Sequence, residues 1–497
     1  MRVFASSAVV VGLLFVAGAW PSAQTPVSVF FGNLHSHTAL SDGSGTPSEA
    51  YTRARDVAGL DFLAITEHNH AQAGDIANNH ALYTGPGNLS LIPTANAFTE
   101  EGVFVALYGQ EFSSISRGNH VNVLDAPAVI DVANGDFRAL IEDWLPLNLD
   151  TQGQPPLLLL NHPMLGPNDL EYGIDDFADE AAWLAALDPR ASLMNLMNGP
   201  SHDDGTGLEP GTPSESEFRR YLNIGLHVAP TADQDNHKRN WGDATDARTA
   251  VLAPILTKAS LLTAMRQRRV YATKDPNLRL VYRLNGELLG SRIQGADVPA
   301  AGTALTLSLE IADDDEPMAA YVVEVFADEV GGAVSSAPLR TQNVSGNGTH
   351  MISGVSYQGG SQYVYLRVKQ AGVDTAWTAP VWLEPVATPT PPIGEPVTSL
   401  SLVVDEREET ARIMNTGNQP VNLTGWQVVS VRGNQVFDQI PTGLTLAPGE
   451  SVTVVSGAAA TSGPGILVWT TQNIWNNSGD PGRLVDQDGN VVAETGG

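Results

Sequence analysis

An α/β domain of the β/α-barrel kind followed by two all-β sandwiches is the fold class that this sequence predicts. Three observations carry the prediction. Over residues 27–275, short apolar and often β-branched runs alternate with helical patterns, the signature of βα units. From 277 to 385 the segments shorten, alternate in polarity and are separated by Gly, Asp and Ser turns, as in an antiparallel sandwich. Beyond a stiff proline-bearing linker at 386–396, with Pro389, Pro391 and Pro392 inside it, residues 397–497 return to short strands and turns, a second sandwich.

The chain opens on Arg2, an apolar stretch at 9–19 and small residues at 17–19 and 21–23, which read as an export signal over 1–23. That stretch is too short to span a bilayer and no later one is long enough, so no transmembrane anchor is expected. The mature protein is expected to be periplasmic or extracellular. The first strand, 27–31, runs into Phe31-Gly32-Asn33-Leu34-His35-Ser36-His37. Thr46-Pro47-Ser48-Glu49 supplies an N-cap Thr, a Pro at the first helical position and a Glu three residues after the cap. This is a capping box, and the helix it opens runs to about 58. Strands at 60–66 and 103–108 follow, then the segment 118–124, then strands at 157–160, 192–197 and 226–229. A helix over 258–269 closes the region. The run 157–160 is continuously apolar, as expected of a strand buried on both faces.

With 497 residues, the chain exceeds one core and allows two to four domains. Its formal net charge of -29 repels polyphosphate backbones, which disfavours strong nucleic-acid binding. There are no cysteines, which excludes disulfides, a thiolate nucleophile and Cys-liganded zinc. Any metal must be held by His, Asp and Glu.

Those residue types recur where strands end. Alternation along an extended chain points His35 and His37 the same way, so both reach one cation. Asp42 follows them, His68 ends the second strand, Glu111 the third, and His120, His162, Asp235 and His237 follow later ones. In a β/α barrel all strand C-termini face one mouth, so these nine residues are expected to form one polynuclear site for two or three divalent transition metals, Zn, Mn or Fe. Glu111 and Asp235 are the candidates for bridging the ions or orienting a hydroxide. Close cations lower the pKa of a bridging water and clamp phosphoryl oxygens. Asp233 is read as an acceptor orienting His237. Arg117, Lys238 and Arg239 flank the ligand loops and are candidate anchors for a substrate anion, the alternative being surface salt bridges. His70, His80, His202, His227 and His350 are read as non-ligands, although His70 lies close enough to meet substrate. Trp426 and Trp475 are read as sandwich core.

On these motifs, residues 31–275 resemble the PHP (polymerase and histidinol phosphatase) superfamily. His35 and His37 match its first motif, His68 in Thr66-Glu67-His68 its second, Glu111 its bridging carboxylate, His120 and His162 its middle histidines, and Asp235-Asn236-His237 its closing Asp-x-His. Asp42 stands where some relatives use His, and Glu67 where many have Asp. The resemblance implies a distorted seven-stranded β/α barrel, a di- or trinuclear metal centre and phosphoester hydrolysis by a metal-bridging hydroxide. Arg269-Val270-Tyr271-Ala272-Thr273, the segment 363–368 and Ala376-Trp377-Thr378 are similar to the exported carbaryl-hydrolase-like branch, which makes carbamate or carboxylic ester hydrolysis the alternative. A small-molecule ester is the expected partner in either case. A third reading, a non-catalytic envelope-associated binding protein, is opposed by the intact ligand set.

Residues 397–497 resemble the lamin-tail domain, an immunoglobulin-like sandwich. The motifs are Ala411-Arg412-Ile413-Met414-Asn415, Val421-Asn422-Leu423-Thr424-Gly425-Trp426, Leu446-Ala447-Pro448-Gly449 and Ile474-Trp475-Asn476-Asn477-Ser478-Gly479-Asp480. This resemblance implies no particular ligand.

Overall fold

The computed structural model describes residues 27–495 apart from 71–75, 87–88, 114–119, 164–170, 371–373, 386–399, 417–419, 448–449, 464, 477–478 and 488. The export signal at 1–23, the linker at 386–396 and Arg117 lie outside the described residues. The chain divides into two compact units, 1–386 and 387–497.

In the first unit β1 (Ser28–Asn33) pairs in parallel with β2 (Phe62–His68), and β2 with β3 (Val105–Phe112). Helix α1 (Pro47–Asp56) crosses from β1 to β2. Thr46 and Glu49 form the capping box: the Thr46 side chain accepts from Glu49 N at 3.2 Å, and the Glu49 carboxylate accepts from Thr46 N at 2.8 Å. Its buried residues Ala50, Tyr51 and Ala54 lie on one helical face, and Tyr51 donates to Leu107 O of β3 at 2.7 Å. Helices α2 (Ala81–Thr84) and α3 (Leu91–Phe98) join β2 to β3. The rest of the region comprises β4 (Val121–Leu124), α4 (Leu145–Leu147), β5 (Leu157–Leu160), α5 (Glu180–Leu187), β6 (Ala191–Asn198), α6 (Glu215–Asn223), β7 (Ala229–Asp233), β8 (Arg248–Ala253), α7 (Lys258–Arg266) and β9 (Val270–Thr273).

These strands do not close into the expected seven-stranded β/α barrel. They belong to one fifteen-stranded sheet of mixed direction, and strand accounts for 36% of the described residues against 16% helix, whereas each barrel strand would bring a helix with it. Two local causes are visible. Only residues 113–120 separate β3 from β4, too few for a crossover helix, so β4 returns antiparallel between β3 and β5. On the other side of β1, the neighbour is β8, also antiparallel, rather than a parallel strand. β7 meets β8 without a backbone ladder: Thr249 Oγ1 accepts from Ala232 N at 2.9 Å and lies 3.1 Å from Ala232 O.

One consequence of the expected arrangement survives the correction. Because β4 reverses direction twice over, β1, β2, β3, β5, β6 and β7 all run the same way, and their C-terminal ends share one side of the sheet. Both faces of these strands are covered. Phe62 and Ala64 pack with Val105, Leu107, Leu157 and Leu159, while Leu63 and Ile65 pack with Ala106, Tyr108, Leu158 and Leu160 in a second core. Burial on both sides is the reason these runs are continuously apolar rather than alternating.

Composition shifts at Asp275, yet the sheet and the core run through it. Beyond β9 come β10 (Arg279–Leu284), β11 (Glu287–Leu288), β12 (Arg292–Gln294), β13 (Leu307–Ala312), β14 (Ala320–Glu329), β15 (Arg340–Ser345), β16 (Gly348–Ile352), β17 (Gln362–Gln370), β18 (Thr375–Thr378) and β19 (Val381–Glu384). β9 pairs antiparallel with β18, so β14, β17, β18 and β19 extend the large sheet, while β11, β10, β13 and β16 make a separate sheet. Leu280, Tyr282 and Leu284 share a buried core with Val323, Val325, Val364 and Leu366. Polar ties reinforce the junction. Glu215 of α6 accepts from Tyr365 Oη at 2.7 Å, Arg367 Nη1 at 2.6 Å and Trp377 Nε1 at 3.0 Å. His227 lies between Asp188, 2.9 Å from Nδ1, and Glu384, 2.6 Å from Nε2.

The second unit is all β. Leu400–Asp405, Thr410–Asn415, Ser451–Val455 and Ile466–Val468 form one four-stranded sheet, and Gln435–Phe437, Gln427–Ser430, Gly482–Val485 and Val491–Glu494 another. Ile413, Val428, Val452, Leu484 and Trp475 are buried in its core, with Trp426 partly buried against it. No helix among the described residues is long and apolar enough to cross a membrane.

Candidate metal centre

All nine donors identified in the sequence meet at the C-terminal ends of the parallel strands. Three overlapping groups have donor atoms mutually within 4.8 Å: His35, His37, Glu111 and Asp235; His37, Asp42, His68 and His237; and His68, Glu111 and His120. His162 completes the cluster, with Nε2 3.3 Å from Glu111 Oε1.

The first group is the tightest. His35 Nε2 and His37 Nε2 are 3.2 Å apart, and each is 3.2 Å from Glu111 Oε2 and 3.2 Å from Asp235 Oδ1. Donor atoms 3.2 Å apart can each lie about 2.0 Å from one ion, the length of a bond from zinc to nitrogen or carboxylate oxygen. Imidazole and carboxylate are also the donors that divalent transition ions prefer. The residues therefore fit the group that the motifs imply.

Glu111 is the hub. Its Oε2 faces His35, His37 and, at 3.1 Å, His68 Nδ1; its Oε1 faces His120 Nδ1 at 3.0 Å and His162. Burial by itself would raise the Glu111 carboxyl, but His35, His68 and His120 outweigh it and hold the group well below the usual carboxylate range. Asp235 is held low in the same way, His35 and His37 outweighing its burial. For the two imidazoles the balance is reciprocal: burial opposes protonation, and Asp235 and Glu111 override it and raise both. His68, where burial prevails, is pushed down to about 3. The cluster opens toward solvent at Asp42, whose side chain is 39% exposed.

Local structure explains the placements. Asp235 has φ +52 and His162 φ +27, left-handed conformations that a side chain adopts only where its surroundings hold it. Asp235 Oδ2 accepts from Asn198 Nδ2 at 3.0 Å and Ser201 Oγ at 2.9 Å, which leaves Oδ1 for the imidazoles. His237 Nδ1 lies 2.8 Å from the carbonyl of Asp235, which orients the ring and turns Nε2, 3.3 Å from Asp42, toward the cluster. Gly43 lies against the backbone of His37, where a Cβ would come within 2.7 Å of its carbonyl carbon. A glycine there allows the loop carrying Asp42 to fold back on the segment of His35 and His37 just beyond β1.

Asp233 does not orient His237. Its Oδ1 accepts from Leu34 N at 2.6 Å and Thr249 Oγ1 at 3.0 Å, and its Oδ2 from Asn195 Nδ2 at 2.9 Å, so it anchors the backbone that delivers His35. Arg239 is committed elsewhere: 63% exposed, it donates to Glu49 at 2.9 Å beside the start of α1. Lys238 is half-buried, and its charge is felt by His202. His202, exposed, nonetheless lies beside the cluster, its ring centroid 4.1 Å from that of His237. His70 is buried, 5.1 Å from the His68 ring.

Other residues at the site were not among the predicted donors. Asn161 Nδ2 donates to Glu111 Oε1 at 2.9 Å, Asn122 Nδ2 to Leu34 O at 3.2 Å, and Asn33 Oδ1 accepts from His35 N at 3.0 Å. Glu67, wholly buried, accepts from Thr38 N at 3.0 Å and from the hydroxyls of Thr38 and Ser41, and Ser41 Oγ reaches His37 Nδ1 at 3.4 Å. The sequence signal for these polar residues was their position at the ends of apolar strands and, for Glu67, its place in Thr66-Glu67-His68.

The second unit takes its identity from a family comparison. The family described as Lamin Tail Domain matches residues 398–496. Residues 398–496 are a lamin tail domain. The two four-stranded sheets described above belong to this lamin tail domain, and Trp475 fills its core. No curated protein matches the chain. Among solved structures, similarity extends to the tetra-tandem repeat in the extending region of a large adhesion protein, at 14% identity and TM-score 0.14 over 46% of this chain and 55% of that one. The chain thus spans about half of that protein. Similarity to a two-domain fibronectin type III segment from chicken tenascin is 13% with TM-score 0.12, covering 38% of this chain and 85% of that one.

Proposed function

We propose that residues 31–275 form a PHP-type metal-dependent hydrolase that cleaves phosphoesters, with two or three divalent transition ions (Zn, Mn or Fe) as cofactors. The observation that carries this reading is the two-sided use of Glu111, whose Oε2 serves His35, His37 and His68 and whose Oε1 serves His120 and His162. His35, His37, Glu111 and Asp235 would hold one ion, Asp42, His68 and His237 a second, and His120 and His162 with Glu111 a third. Such ions, when bound, acidify water and offset negative charge on the transferring group. The protein's own groups do the positioning: Asn161 fixes Glu111, Asn198 and Ser201 fix Asp235, and the exposed rim at Asp42 and His202 receives the substrate. The resemblance of residues 1–23 to an export signal supports action outside the cytoplasm.

One observation favours a second reading, carboxylic ester or carbamate hydrolysis. Among the described residues no arginine contacts the donor cluster, Arg239 being paired with Glu49, and a neutral acyl group needs less cationic help than a phosphoryl dianion. The test is metal analysis of the purified full chain together with turnover of p-nitrophenyl mono-, di- and carboxylic esters. We expect stoichiometric transition metal, phosphoester turnover, and loss of both in His35→Ala. A metal-free protein, or a His35→Ala variant as active as the parent, would refute the metalloenzyme reading, and turnover of carboxylic or carbamate esters alone would establish the second.

A further inference from the structure

At the opposite end of the strands from the metal centre, where β5 and β6 begin, lies a cavity of about 510 Å³. Four of its ten lining residues are arginines, Arg190, Arg266, Arg268 and Arg292, in a chain with 26 Lys and Arg among 497 residues. Two of them are already paired: Arg266 with Asp150, and Arg292 with Glu384 at 2.8 and 3.0 Å. The acid that shares the cavity, Asp188, is taken by His227.

Arg190 and Arg268 are different. Neither forms an ion pair with a carboxylate among the described residues, and the Nε of each is buried without a hydrogen-bond partner among them. Arg190 spends only Nη1, on the carbonyl of Ala186 at 2.6 Å. Arg268 has its guanidinium 5.5 Å from the Trp382 ring and sits at φ +58 in the turn between α7 and β9, a conformation that costs free energy for a residue with a Cβ. Burial lowers the proton affinity of both guanidiniums, a penalty that an anion in the cavity would relieve.

We propose that this cavity is a binding site for a small organic oxyanion, a phosphate monoester or a di- or tricarboxylate, held by the terminal nitrogens of Arg190 and Arg268. The guanidinium fork matches two oxygens of a carboxylate or phosphate, and the volume lies in the range of small-molecule sites. Arg266 and Arg292, each neutralised by its own carboxylate, complete the polar lining. The site is independent of the metal centre. β5 alone, four residues long, puts roughly 13 Å between its two ends.

The test is calorimetric titration of the full chain at low ionic strength with inorganic phosphate and with citrate, on the parent, His35→Ala and Arg190→Gln/Arg268→Gln. We expect His35→Ala to retain binding and the arginine double variant to lose at least tenfold in affinity. Preference for phosphate over citrate, or the reverse, distinguishes the two sources of oxyanion. Binding that disappears in His35→Ala, or that is equal in the parent and the double variant, would overturn the proposal. Should the double variant misfold, arginine modification by phenylglyoxal, mapped by mass spectrometry on the unaltered protein, decides the matter: citrate or phosphate must protect Arg190 and Arg268, and unchanged labelling of both refutes the site.

Discussion

The side-chain amide of Asn161 donates to Glu111 Oε1 at 2.9 Å and to Asn122 Oδ1 at 2.9 Å. One amide thus sets the rotation of the carboxylate that every donor group but one shares. Groups that orient ligands in this way typically account for 10–100-fold in metal affinity. Replacement of Asn161 by Ala is therefore expected to weaken metal binding by about that factor. Competition against a fluorescent chelator measures it, and an unaltered affinity would show that Glu111 is held by the imidazoles alone.

Glu67 ties down the turn that carries Asp42 through Thr38 and Ser41, and meets the donor group of His35, His37, Glu111 and Asp235 through Ser41 Oγ, 3.4 Å from His37 Nδ1. Glu67→Ala is expected to release that turn and lower the metal content by one ion per chain, while the group of His35, His37, Glu111 and Asp235 keeps its own. Elemental analysis after dialysis reads the stoichiometry. An undiminished content would mean that Asp42 is placed by Gly43 and the loop backbone instead.

The proton inventory predicts how metal binding responds to pH. Asp235 and Glu111 raise His35 and His37, so in the metal-free protein these imidazoles hold protons more tightly than an ordinary imidazole does. An ion must displace them, and affinity should fall as pH falls. Addition of Zn²⁺ to chelator-treated protein is expected to release protons, measured by pH-stat. Uptake without proton release would contradict the raised values.

The His227 clamp gives a separate pH dependence. Burial would lower His227, but Asp188 and Glu384 raise it above 6.5. A group raised on folding contributes its stability fully below the unfolded value and loses it as pH rises through the folded value. Glu384 is pushed down to about 2 from 4.5, chiefly by His227 and Arg292 acting against its burial, so its contribution is present above 4.5 and lost as pH falls toward 2. The Tm difference between the parent and His227→Gln should be largest between pH 4.5 and 6.5 and shrink on both sides. A difference that grows at pH 9 would refute the assignment.

Patterns that are local in the chain were legible from sequence. The one-residue spacing of His35 and His37, just beyond β1, brings both rings to one site, the spacing of Thr46 and Glu49 is the capping box itself, and the Trp426 and Trp475 segments mark the lamin tail domain. Each depends on residues a few positions apart, where backbone geometry alone decides who meets whom. That the nine donors should converge also followed from sequence, because strand C-termini carried them and parallel strands share an end.

What the tertiary structure alone decided is neighbour choice. The insertion of antiparallel β4, the place of β8 beside β1 and the continuation of the sheet through β9 into β18 replace the expected barrel with one long mixed sheet. An apolar run reads the same whether its partner lies parallel or antiparallel, so direction was not written in it. The same holds for Asp233, which supports Leu34 rather than His237, for Asn161 under Glu111, and for Arg190 and Arg268, which are 78 positions apart and meet in one cavity. The sequence by itself determined the donors around His35-Ser36-His37. Packing between segments far apart in the chain determined what surrounds and orients them, because a hydrogen bond or a counter-charge is set by distance in space and not by separation along the chain.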